Sequence, residues 1–248
     1  MRKTSSNPML KESRFLKNAQ AQSSGKLMTV NGTVNKSYIM FFCLLGGGGF
    51  AWLQIIAGGG ALLLPLLGIG SISAFLMVLL TQFKPHWAPI TAPIYAVIEG
   101  ILLGTITLFA ETYVPGIGTQ AIGLTLGILF VMLGLYKWGI IKPTEKLKSV
   151  IIGATFAIFI TYLSIMVLRM VGLEIPYMHQ LGWIGIGFSL VIIGVAALNL
   201  ILDFDLIDQY SQAGVPKYME WFAAMGLMVT LVWLYVEILR LLSILSSD

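Results

Sequence analysis

The chain has 248 residues, of which 57% are apolar and only 10% charged, against roughly 45–50% and about 25% in a soluble domain. With a mean hydropathy of +0.89 it cannot clothe a water-facing surface, which excludes a soluble enzyme, an extracellular module and a disordered chain. The net charge of +4 comes from bases beside apolar runs and reads as membrane orientation, not nucleic-acid binding; one cysteine, Cys43, and two histidines, His86 and His179, leave no disulfide framework and no Cys-cluster or multi-His metal site.

Residues 1–36 are polar and basic and read as a cytosolic tail, with at most a short helix over 10–18. They are not a cleaved leader, because the first apolar run starts near residue 38, exceeds a signal-peptide core and lacks a small-residue cleavage pattern. From residue 37 to 248 the chain reads as one membrane domain. A helix of about 20 residues crosses a hydrocarbon core of about 30 Å, and seven runs are that long: 38–57, 61–83, 90–109, 120–138, 149–171, 181–202 and 221–245. Short polar or Gly/Pro-rich breaks separate them, the weakest at Gly58–Gly60. The runs are apolar all round, and β-barrel alternation is absent. The expected fold is therefore all-α, with seven transmembrane helices.

Small residues mark where such helices approach each other. Gly46–Gly49 in the first span, Gly100 with Gly104 in the third and Gly123 with Gly127 in the fourth are the predicted close crossings. The first of these could alternatively be a flexible point. Pro65 and Pro93 are expected to kink their spans, and Trp87, Trp138, Trp183 and Trp221 to form interfacial belts. If the spans alternate, every lysine and arginine except Arg169 and Arg240 falls on one side. That asymmetry places the N-terminus in the cytosol and the C-terminus outside.

Ionisable groups at membrane depth point to a cavity, a partner or a proton, since a charge at bilayer centre costs roughly 2.5–3.5 kcal/mol on insertion scales. Glu99 is near the middle of the third span beside the Gly100 seam; it is either a hydrogen-bonded structural carboxyl or part of an ion path. The sixth span ends in Asp203, Asp205 and Asp208. Asp203 and Asp205 point to roughly opposite sides of a helix, Asp205 shares a face with Asp208, and Asp203 with Asn199. A solvated helix end is the plain reading for Asp208, while a buried, proton-controlled gate is open to Asp203 and Asp205. Glu237 and Arg240 form a local pair in span seven, and Glu220 sits where that helix's N-terminus favours an acid. Neither a phosphate-binding loop, a G-x-G-x-x-G, an H-E-x-x-H nor a G-x-S-x-G occurs, so neither an enzyme nor a cofactor is expected.

Several segments carry a family resemblance. Ser5–Leu10, Met28–Lys36, Ala92–Gly100, Leu202–Asp205, and Leu234–Leu242 with the closing Ser243–Asp248 together resemble the Bax inhibitor/YccA-like family of seven-span proteins, in its bacterial branch. The resemblance covers nearly the whole chain. It implies a fold with span seven at the centre and a pH-gated calcium leak in the bacterial cytoplasmic membrane. It further implies an aspartate pair, one closing span six and one in span seven, that shares a proton, and a basic latch at the cytosolic end of span two. Asp205 matches the span-six acid, with Asp203 as its rival, and Lys84 stands at the latch. For the second acid an ungapped alignment gives Thr230, and the Leu-Tyr-x-acid pattern gives Glu237. The expected function is a cation leak, calcium the candidate, gated by Asp205, Asp203 and Lys84 with Glu99 on the path. The alternative is a non-conducting regulator bound to another membrane protein such as a membrane-bound AAA protease.

Overall fold

The computed structural model describes residues 26–58, 63–172 and 183–246. The short tail helix expected over 10–18, His179 and the last two residues lie outside them. Among the described residues seven long helices follow in order: α1 Val30–Ile56, α2 Leu63–Phe83, α3 Ala88–Tyr113, α4 Ile117–Lys137, α5 Glu145–Met170, α6 Trp183–Gln212 and α7 Met219–Leu245. A single 3₁₀ turn, Pro85–Trp87, joins α2 to α3. All seven are long and apolar enough to cross a membrane. Several hydroxyls within them return to the carbonyl one turn back, as Thr105 does to Ile101 at 2.7 Å and Thr125 to Ala121 at 2.7 Å, which satisfies them without water.

α7 is the most buried of the seven and packs on α1, α3, α4 and α6, with α2 outside on α3 and α5 outside on α6. The expectation of a central seventh helix holds. Its face supplies Leu234, Tyr235, Ile238 and Leu239 to one apolar cluster and Ala224, Met225 and Met228 to another.

The closest crossing joins α1 to α3. A Cβ added at Gly100 would lie 2.0 Å from the Leu44 carbonyl oxygen, one at Gly47 2.3 Å from the Val97 oxygen, and one at Gly104 2.8 Å from the Gly48 Cα. Gly47 and Gly48 thus let two backbones touch, while Gly46 and Gly49 face open space. The seam predicted at Gly123 and Gly127 is not a crossing, because an added Cβ meets nothing within 4 Å at either; that face of α4 is turned outward. Pro65 lies in the first turn of α2, where its missing N–H would be unbonded anyway. Among the described residues Pro93 alone lies beyond the first turn of a helix.

α1 begins at Val30, so residues 30–36, read as tail, are helical. Thr29 caps it, its hydroxyl accepting from the Gly32 N–H at 2.9 Å. The segment before it is clipped to the α6–α7 connection: Met28 N–H donates to the Val215 carbonyl at 2.9 Å and Lys217 N–H to the Lys26 carbonyl at 3.0 Å. Trp87, Trp138 and Trp183 are exposed at helix ends. Trp221 is instead half-buried with the Lys36 ammonium 5.3 Å above its ring.

Candidate functional site

The acids after Leu202 are not in a loop. α6 continues to Gln212, and its turns send each acid toward a different neighbour. Asp203 faces α7. Its neighbour there is Thr230, whose hydroxyl donates to the Gly226 carbonyl at 3.3 Å. A Cβ at Gly226 would be 4.0 Å from Asp203 Oδ1. The other oxygen, Oδ2, is sealed from solvent and has no hydrogen-bond partner.

Asp205 faces α5. Its Oδ2 takes the Lys148 ammonium at 2.9 Å and the Gln209 amide one turn on at 2.5 Å. Glu145 adds a second, exposed carboxylate 3.3 Å from the same ammonium. Asp208 faces α4 and accepts from the Tyr136 hydroxyl at 2.7 Å, and the Tyr136 ring rests 5.8 Å from that of Phe204. Asp205 and Asp208, expected on one face, therefore meet different helices. Asn199 donates to Thr155 on α5 at 2.8 Å.

The base that holds Asp205 is Lys148, not Lys84. Lys84 is exposed and stands 4.7 Å over the Trp87 ring, because the 3₁₀ turn after α2 folds that ring back beneath it. Of the two alignments for the span-seven acid, the one giving Thr230 corresponds to the residue that faces Asp203. Glu237, seven residues and about 10 Å further along α7, is buried and belongs to another cluster. Tyr162 of α5 donates to Glu237 Oε1, Arg240 Nη1 lies 3.9 Å from its Oε2, and Arg240 donates to the Tyr162 hydroxyl at 2.8 Å. Asp203, the rival for the span-six acid, thus meets a threonine where an aspartate pair would need a second acid, and Asp205, the first match, meets Lys148.

Glu99 is half-buried on α3 and neighbours Tyr95 one turn before it. It is eleven residues in from Ala88, as Thr230 is from Met219, so the two stand at a similar depth of about 16 Å. Among the described residues no three His, Cys, Asp or Glu side chains are placed to share a metal ion.

One buried acid plays a part the sequence did not suggest. Glu220 is only 1% exposed; it lies in the first turn of α7 as expected, and it also serves the start of α1. Its Oε1 accepts from the Thr29 N–H and hydroxyl, both at 3.2 Å. A carboxylate there complements the helix dipole. Gly32 makes room for it, since a Cβ there would lie 1.9 Å from Oε1. The Thr29 and Gly32 pair was the available signal, but nothing local linked it to residue 220.

Six apolar helices around a buried seventh, with carboxyls held between them, define a multi-pass helical membrane protein. Residues 7–247 match the family described as Bax inhibitor 1 like, and the chain belongs to that family. The comparison with curated proteins finds no match.

Proposed function

We propose that this chain is a cation leak channel of a bacterial cytoplasmic membrane, with calcium the candidate ion, described here in a shut state that protonation opens. The end carrying Lys84, Lys148 and Lys217 faces the cytosol in this reading, because alternating spans assign every lysine and arginine of the sequence but Arg169 and Arg240 to that side. The observation that carries the proposal is Asp203: a carboxyl between α6 and α7 with one oxygen buried and unpaired, a placement that membrane proteins keep where a polar path runs.

Near it, the Lys148–Asp205 pair ties α5 to α6. Without the Asp205 charge, as in Asp205→Asn, nothing holds Lys148 there and a two-state equilibrium shifts toward parting. The other groups that set this balance are Glu145 on α5, Gln209 and Asp208 on α6, and Tyr136 on α4. Carboxylate and hydroxyl oxygens suit a hard cation, and the passage needs no covalent step.

The test is calcium entry into dye-loaded liposomes across roughly pH 6 to 8. Wild-type flux should rise as pH falls, and Asp205→Asn should be high and nearly flat. Equal flux in both at every pH contradicts the gating. Absence of flux in either favours the regulator of another membrane protein instead.

A further inference from the structure

α5 is attached unlike any other helix. Among its described residues only Ile151 and Ile165 are buried, and its packing is on α6. Its ties to the bundle are polar and evenly spaced. Lys148 meets Asp205 at 2.9 Å, Thr155 accepts from Asn199 at 2.8 Å, and Tyr162 bonds Glu237 and Arg240 of α7. Positions 148, 155 and 162 are seven apart. Two helical turns bring each back to nearly the same face, with a drift of about 20°, and each step rises about 10 Å. The rungs therefore span about 21 Å of a hydrocarbon core of about 30 Å.

Apolar faces gain nothing from meeting each other in lipid, so helices there are held by close packing and hydrogen bonds. The α1–α3 crossing has the first and cannot slide without backbone collision. The α5 seam has mainly the second. Water can replace each of its polar partners, whereas lipid cannot, so parting along this seam admits water. At each end an acid is matched with a base, Asp205 with Lys148 and Glu237 with Arg240, and between them lie the oxygens of Thr155 and Asn199.

We infer that α5 is the movable element of the bundle and that the seam it closes against α6 and α7, from Lys148 and Asp205 through Thr155 and Asn199 to Tyr162 and Glu237, is the hydrated route of the cation. The identity of the traffic rests on the leak reading; the movement of α5 does not.

The movement is tested by spin-label distances in lipid nanodiscs, in a Cys43→Ala background. One pair is Ile152→Cys on α5 with Phe130→Cys on α4, and the control is Phe42→Cys on α1 with Ile94→Cys on α3; all four are exposed. In Asp205→Asn and in Lys148→Met the first distance should lengthen and broaden while the control stays fixed. That result supports α5 movement even if no variant conducts, which would remove the leak reading alone. An unchanged α5 distance in both variants, or a control that broadens equally, overturns the inference even if calcium flux rises. For the route, adding Thr155→Val and Asn199→Leu to Asp205→Asn should return calcium flux to the level of empty liposomes, and undiminished flux overturns it.

Discussion

α1 and α3 meet through glycines, and α5 meets α6 and α7 through a ladder of polar side chains. Both are helix contacts within one small membrane protein, yet they do different work. In the first, backbone lies on backbone at Gly47, Gly48, Gly100 and Gly104, and nothing can move without collision. In the second, few atoms are close and each bond can be exchanged for water. The comparison teaches that rigidity in lipid comes from the absence of side chains, and the capacity to change comes from polar ones.

The strongest way to break the comparison is at Gly100. Gly100→Val puts a branched side chain into the Leu44 backbone; overpacking costs about 1–3 kcal/mol where neighbours can shift and more where they cannot. Loss of the folded protein in detergent, followed by thermal denaturation, is the expected outcome. Gly32→Ala should come next. It drives a Cβ into the Glu220 carboxylate and should destabilise by about 2 kcal/mol, largely relieved in a double variant with Glu220→Ala, since groups in contact couple by about 0.5–3 kcal/mol. Additive effects would contradict the clasp between α1 and α7.

Asn199→Leu sharpens the other side. Interhelical hydrogen bonds in membranes average about 0.6 kcal/mol, so unfolding should change by about that much or less while calcium flux drops. Gly127→Ala, on an open face of α4, should leave stability equal or raised by up to about 1 kcal/mol. Smallest of all is Lys84→Met, which loses only the contact with Trp87 and should leave the pH response of flux unchanged, in contrast to Lys148→Met.

The helices were legible because each span must be apolar along its whole length. The Gly100–Gly104 crossing was legible for the related reason that a small residue repeated at helical spacing marks a close approach. The same pattern at Gly123 and Gly127 misled, since spacing does not say whether a face meets a helix or lipid. Asp203 and Asp205 could be assigned to opposite sides of α6 from their two-residue separation. Which base would reach Asp205 could not be read, because the choice between Lys84 and Lys148 depends on which helix packs beside α6. The start of α1 was hidden by its polar first turns, which are helical because Thr29 caps them and Glu220, far along the chain, sits against them. The rungs at 148, 155 and 162 are of three different residue types, so no repeat announced them.

The most direct measurement is thiol block of calcium flux in liposomes. Asn199→Cys in a Cys43→Ala, Asp205→Asn background is treated with a water-soluble thiosulfonate, beside Gly123→Cys on the outward face of α4. The account predicts that modification at 199 stops the flux and that modification at 123 leaves it intact. Full calcium flux with residue 199 completely modified would contradict it.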